Sequence, residues 1–212
     1  MALGRFIVVE GLEGAGKTTA IDTLRSYLKS QAKQVIMTRE PGGTQLGEQL
    51  RALLKHGVEG EVVEPRAELL MMYAARVQLV EQVIQPALLR GDWVISDRFE
   101  MSTYAYQGGG RGFDKVTIDS LSAICLQGFK PDLIIYMDIS PEKGLERVTG
   151  RGEFDRIEQE SLDFFQRVHK AYLDMVGTMN NVSKVDASQS MELVQESVLK
   201  QLITFLNSNE LR

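Results

Sequence analysis

Residues 8–19 read VVEGLEGAGKTT. The spacing Gly11-x-x-x-x-Gly16-Lys17-Thr18 is that of a phosphate-binding P-loop. Glycines let successive backbone N–H groups turn toward phosphate oxygens, a lysine adds a positive charge, and a threonine hydroxyl reaches a magnesium ion. The stretch from Gly11 through Leu12, Glu13, Gly14 and Ala15 to Gly16, Lys17, Thr18 and Thr19 is therefore the expected phosphate-binding site. One residue conflicts with that chemistry. Glu13 is a carboxylate in a loop built for anions, so it is expected to turn away from the donor phosphates, toward a second substrate or toward an arginine such as Arg98.

Further cations follow other apolar runs. Arg39 begins Arg-Glu-Pro-Gly-Gly-Thr after QVIMT, and Asp97-Arg98 closes DWVISD, so a second phosphate is expected beside the first. Asp97 ends its run as a Walker-B acid does and would orient magnesium together with Thr18. Arg76 falls on the apolar face of PRAELLMMYAARVQLVEQVIQ, at 65–85. A buried arginine is costly unless paired, so it must find a carboxylate or donate to a ligand. The segment RVTGRGEFDRIE at 147–158 has the arginines and glycines of a lid that closes over transferring phosphate, with Arg147 and Arg151 four residues apart.

These groups need a frame to hold them. Five short apolar runs, RFIVVE, QVIMT at 34–38, DWVISD at 92–97, DLIIYMD at 132–138 and VSKVD at 182–186, read as parallel strands covered on both faces. Helical periodicity fills the intervals: Leu46, Leu50, Leu53 and Leu54; Leu162, Phe165, Val168, Tyr172 and Val176; Val194, Val198, Leu202 and Phe205. The fold class expected is α/β, a P-loop NTPase with a doubly wound five-stranded parallel sheet. In such sheets ligands bind beyond the carboxyl ends of the strands, so the segments after the strands should converge on one cleft.

Composition sets the outer bounds. With 212 residues, 43% of them hydrophobic, the chain suits one domain, 1–212, with the lid included. A net charge of −5 argues against binding nucleic acid polymers, while local arginines still serve a small anion. Cys125 alone forms no internal disulfide and is expected in the core, and His56 and His169 make no zinc set. His56, before Gly57, is expected to cap a helix C-terminus. The apolar runs are too short to cross a membrane, and the N-terminus has no signal-peptide core, so a cytoplasmic location is expected.

Taken together, EGLEGAGKTT, TREPGGT, LLMMYAARVQLV, SDRFEMSTYAYQGGGRG and GRGEFDRIEQE resemble thymidylate kinases over nearly the whole chain. The resemblance is to the bacterial class with glycine in the P-loop, here Gly14, and arginines in the lid. It implies ATP-dependent phosphorylation of thymidine monophosphate (dTMP) to the diphosphate with magnesium, for dTTP synthesis, by a homodimer. It also implies roles. Arg39, Arg51 and Arg98 would clamp the acceptor phosphate, Arg76 would donate to thymine O4, and Thr103 and Gln107 would face the base. Tyr106 would crowd the ribose 2′ position, Glu13 would accept from the 3′-hydroxyl, Arg151 would reach across the ATP phosphates, and Arg147 and Ala187 would lie near adenine. Lys17, Asp97, Arg98 and Arg151 would carry the catalysis. Two positions depart from the family. Met72 stands where a phenylalanine commonly stacks on thymine, and Thr149 where relatives carry another lid arginine. Two rivals differ in chemistry. A deoxynucleoside kinase needs a base for a hydroxyl acceptor, and a GTP-binding switch needs an Asn-Lys-x-Asp string, which is absent.

Overall fold

The computed structural model describes residues 4–149 and 155–210, without the side chains of 209 and 210. Five strands form one parallel sheet: β1 (Phe6–Gly11), β2 (Val35–Arg39), β3 (Trp93–Asp97), β4 (Leu133–Asp138) and β5 (Val182–Asp186), in the order β2-β3-β1-β4-β5. The most apolar runs take the middle. All six residues of β1 are buried, and β3 and β4 are buried up to the acid at the end of each. The edge strands β2 and β5 are partly exposed instead, with Met37 at 37%, which corrects the expectation that every strand is covered on both faces. Register aligns the carboxyl ends, Val9 lying opposite Asp97 and Arg39 also opposite Asp97.

Helices cover the sheet through the faces their periodicity marks. Helix α1 (Lys17–Ser30) buries Ala20, Ile21, Leu24 and Leu28, and α9 (Met191–Glu210) packs on it, burying Val194, Val198 and Leu202. Helix α2 (Gln45–His56) starts where the Thr44 side chain accepts from the Gly47 N–H, and ends at Gly57, whose φ of 68° suits glycine. Of its leucines only Leu54 is buried, Leu46 and Leu53 being exposed, because this helix lies over another helix rather than the sheet.

The stretch expected as one helix from 65 to 85 is α3 (Pro65–Leu79), a π-helical turn (Val80–Ile84) and α4 (Gln85–Leu89). Pro86 supplies the physical reason. It has no N–H for the preceding turn, and its ring would collide with the carbonyl of a regular helix, so the widened turn lets the rod continue. The segment after β3 forms α5 (Glu100–Thr103) and a second π-helical turn (Tyr104–Gly110). Helix α8 (Leu162–Val176) packs closely on that turn. A Cβ on Gly110 would stand 2.4 Å from the Phe164 ring, so the glycine run YAYQGGG is what admits α8. The remaining helices, α6 (Lys115–Leu126) and α7 (Pro141–Val148), are capped by Asp114 and Ser140. Cys125 is half-buried at the edge of the core. No helix among the described residues is long and apolar enough to cross a membrane.

Candidate active site

At the end of β1 the chain turns through the P-loop into α1, whose N-terminal N–H groups lack partners within the helix and present partial positive charge. Gly16 caps this end with φ 81°, and a Cβ built there would meet nothing within 4 Å. The loop thus encloses open space, as a phosphate cradle must. The Lys17 ammonium donates to the carbonyls of Gly11 at 3.1 Å and Leu12 at 2.9 Å. Burial, reinforced by repulsion from Arg98, pushes Lys17 down to about 8.

Asp97 reaches the same space from β3. Its Oδ1 is buried and has no hydrogen-bond partner among the described residues. Thr18 lines the same cavity. A carboxylate and a hydroxyl are hard oxygen donors, and no cluster of three or more His, Cys, Asp or Glu that could hold a metal occurs among the described residues. That set fits magnesium, which keeps several waters and shares phosphate oxygens instead of filling an all-protein cage.

Arg98, directly after Asp97, is held in the left-handed region at φ 71°, a conformation a non-glycine residue keeps only when its surroundings impose it. The surroundings are buried acids. Glu10 accepts from the backbone N–H groups of Phe99 and Ser102 and from the hydroxyls of Ser102 and Tyr172, fixing the turn. The Arg98 guanidinium donates to Glu13 Oε1 at 2.7 Å and to the Tyr106 hydroxyl at 3.1 Å, and that hydroxyl donates to Glu13 Oε2 at 2.6 Å. Burial works to raise the Glu13 carboxyl, but Arg98, Lys17 and Tyr106 outweigh it and hold Glu13 below the usual carboxylate range. The arginine partner weighed for Glu13 from the sequence is therefore the contact observed.

A cavity of about 370 Å³ joins this region to a second wall formed by Arg39, Pro41, Arg51, Met72, Tyr106 and Gln107. Arg39 pairs with Glu48 at 2.8 Å, and Arg51 donates to the Pro41 carbonyl at 2.8 Å. Behind the wall the fully buried Arg76 donates from Nε to Glu40 at 2.8 Å and from Nη2 to Thr103 Oγ1 at 2.9 Å. Arg76 thus satisfies the first reading of a buried arginine, an internal carboxylate, yet its Nη1 has no hydrogen-bond partner among the described residues. Gln107 donates from Nε2 to Glu68 at 2.8 Å, while its Oε1 is buried and has no partner among the described residues. Gln107 lines the cavity and Arg76 stands behind it, and a buried donor or acceptor left unpaired costs free energy unless a ligand completes it.

Most residues expected from the sequence line this cavity: Glu13, Gly14, Gly16, Lys17, Thr18, Thr19, Arg39, Arg51, Met72, Asp97, Arg98, Tyr106 and Gln107. Arg76 and Thr103 stand behind it, and Gly11, Leu12 and Ala15 are buried in the loop's own backbone frame. Arg147 ends α7 by donating to the carbonyls of Gly14 at 3.2 Å and Ala187 at 3.1 Å, fastening the P-loop to the segment after β5. Arg151 lies outside the described residues. Sequence reasoning missed the acids Glu10, Glu40 and Glu68 and the role of Arg156, because each works through a partner far away along the chain. The local signal was an acid at the end of the apolar FIVV run for Glu10, and there was none for Glu40 within TREPGG.

The parallel sheet, the P-loop and the arginines lining one cavity are those of a P-loop nucleotide phosphotransferase. The thymidylate kinase family model matches residues 9–198. The chain is 51% identical to a thymidylate kinase of Legionella pneumophila strain Corby over 206 residues, and 50% identical to one of strain Paris over 206 residues, covering 97% of each chain in both cases. The chain belongs to the thymidylate kinase family, and its reaction is the ATP-dependent phosphorylation of dTMP to the diphosphate.

Proposed function

We propose that the two ends of the cavity divide the substrates, donor phosphates lying in the P-loop and dTMP between Arg98 and Gln107. Lys17 and the loop amides hold the donor phosphates, with Arg147 and the Ala187 segment toward adenine. Arg39, Arg51 and Arg98 clamp the acceptor phosphate, and Thr18 and Asp97 would hold magnesium, which would supply positive charge to neutralise phosphate oxygens. Met72 covers a face of the base with its polarizable sulfur. The unpaired Arg76 Nη1 donates to thymine O4, Gln107 Oε1 accepts from N3–H, and Thr103 holds Arg76 for this. Cytosine presents a donor and an acceptor at those two positions in the opposite sense. Tyr106 stands against the ribose 2′ position.

The transfer is an in-line attack by an acceptor phosphate oxygen on the γ-phosphorus. The chain contributes positioning and charge stabilisation, and no general base is required because the nucleophile is already an anion. Arg98 fixes the attacking phosphate, and Arg151, brought in by the 147–158 lid, meets the spreading negative charge. The reading extends to one domain over 1–212, working in the cytoplasm as a homodimer.

The pair of unsatisfied buried atoms, Arg76 Nη1 and Gln107 Oε1, carries this reading. A coupled assay with ATP across the common nucleoside monophosphates and thymidine tests it. We expect dTMP to be the best acceptor, dCMP to be poorer in kcat/KM by at least about 100-fold for two reversed hydrogen bonds at a buried site, and thymidine to be inert. Equal use of dCMP would remove the base-reading assignment.

A further inference from the structure

Glu68 lies in the first turn of α3, almost fully buried, and four donors converge on it. Its Oε1 accepts from Gln107 Nε2 at 2.8 Å and Arg111 Nε at 3.3 Å, and its Oε2 accepts from Arg156 Nη2 at 2.6 Å and Arg111 Nη2 at 3.2 Å. Burial alone would raise this carboxyl, but the hydrogen bonds from Arg111 and Gln107 hold it below its usual range. It is consequently ionised and can only accept. That fixes the neighbour's orientation: facing a carboxylate, the Gln107 amide must offer its NH2, which leaves Oε1 as the atom facing a ligand. Without such a partner an amide has two nearly isosteric orientations.

The Arg156 contact links Glu68 to α2. The Arg156 backbone N–H donates to the Lys55 carbonyl at 2.9 Å, its Nε donates to the Leu54 carbonyl at 3.0 Å, and Lys55 pairs with Asp155 at 2.8 Å. Asp155, Ile157 and Glu158 line the cavity. The C-terminal part of the lid is thus moored to α2 and, through Glu68, to the residue that faces the base.

We propose that Glu68 is a positioning residue that sets the hydrogen-bonding sense of Gln107 and moors the C-terminal part of the lid through Arg156, so that one carboxylate serves base selection and lid docking. The first half rests on the reading that Gln107 Oε1 receives thymine N3–H. Its consequence is a shared defect: loss of the charge at 68 frees the amide and this part of the lid together.

The test is Glu68→Gln, which keeps volume and removes the charge, studied by steady-state kinetics on dTMP and dCMP and by amide hydrogen exchange. The kcat/KM ratio of dTMP over dCMP should fall at least tenfold, mainly through KM for dTMP, and amides of 155–160 should exchange at least tenfold faster while sheet amides keep their protection. Arg156→Gln should speed exchange at 155–160 and leave the ratio within twofold. If Glu68→Gln retains either the ratio or the protection, the shared role is overturned. Gln107→Ala isolates the underlying reading: a ratio unchanged in that variant refutes base recognition by Gln107, whatever Glu68 does. Should sheet amides lose protection in Glu68→Gln, Glu68→Asp replaces it. The retained acceptor charge should then keep the ratio within threefold, and a tenfold fall there would overturn the proposal.

Discussion

Glu13 shows why an anion-binding loop tolerates an acid. Arg98 is held in a left-handed conformation within reach of Lys17, and two cations so close need an anion between them. Glu13 supplies it at 2.7 Å from Arg98. A carboxylate has about four lone-pair sites, and Arg98, Tyr106 and the Glu13 backbone N–H take three, so the acid has room to receive the 3′-hydroxyl of the acceptor as well. A hydrogen bond to a charged group contributes about 1.5–3 kcal/mol, so Glu13→Gln should lower kcat/KM for dTMP by about tenfold or more. The same substitution should cost far less on the 3′-deoxy substrate, and equal losses on both would leave Glu13 as a partner of Arg98 alone. Lys17 gives a pH test at the same scale. Its ammonium, lowered to about 8, is charged at neutral pH and titrates above it. Affinity for an ATP analogue, measured by calorimetry, should be level near pH 7 and weaken above pH 8, approaching about tenfold per pH unit. A constant affinity up to pH 9.5 would show that the lysine charge does not hold the donor.

At the scale of elements, what the sequence revealed was local. The P-loop is legible because its glycines, lysine and threonine act within one turn of chain, and β1, β3 and β4 because strands buried on both faces must be continuously apolar. The edge position of β2 and β5 was not legible, since strand order depends on helix crossovers and not on the runs themselves. Neither π-helical turn was visible, because one widened turn barely disturbs helical periodicity. The site divides in the same way. Arg39, Asp97 and Arg98 could be placed because they follow strands whose carboxyl ends point at the ligand. Glu68 could not, because its partners Gln107 and Arg156 lie 39 and 88 residues away and PRAELL reads locally as an acid beside a helix N-terminus. Glu10 meets Tyr172 across 162 residues, a pairing that only the packing of α8 against the turn after β3 creates.

The molecule as a whole presents apolar side chains to solvent on neighbouring helices. Leu46 on α2, Leu70 on α3, and Val116 and Ile124 on α6 are 47%, 56%, 73% and 72% exposed, and α3 packs against both α2 and α6. A layer of this kind gains stability by covering its apolar area with a second copy. Helix α3 also carries Met72 and Arg76, so a partner packed on its outer side would stiffen the element to which base recognition is assigned above. Sedimentation equilibrium at about 10 µM should therefore give a mass near twice 23.7 kDa. Combining Leu70→Glu with Ile124→Glu should produce monomers, because burying unpaired carboxylates costs several kcal/mol each. Mass action adds an independent sign: Tm should rise with protein concentration for the native chain and stay level for the double variant. A native chain sedimenting at 23.7 kDa would refute the dimer, and a double variant that still associates would move the interface to another face.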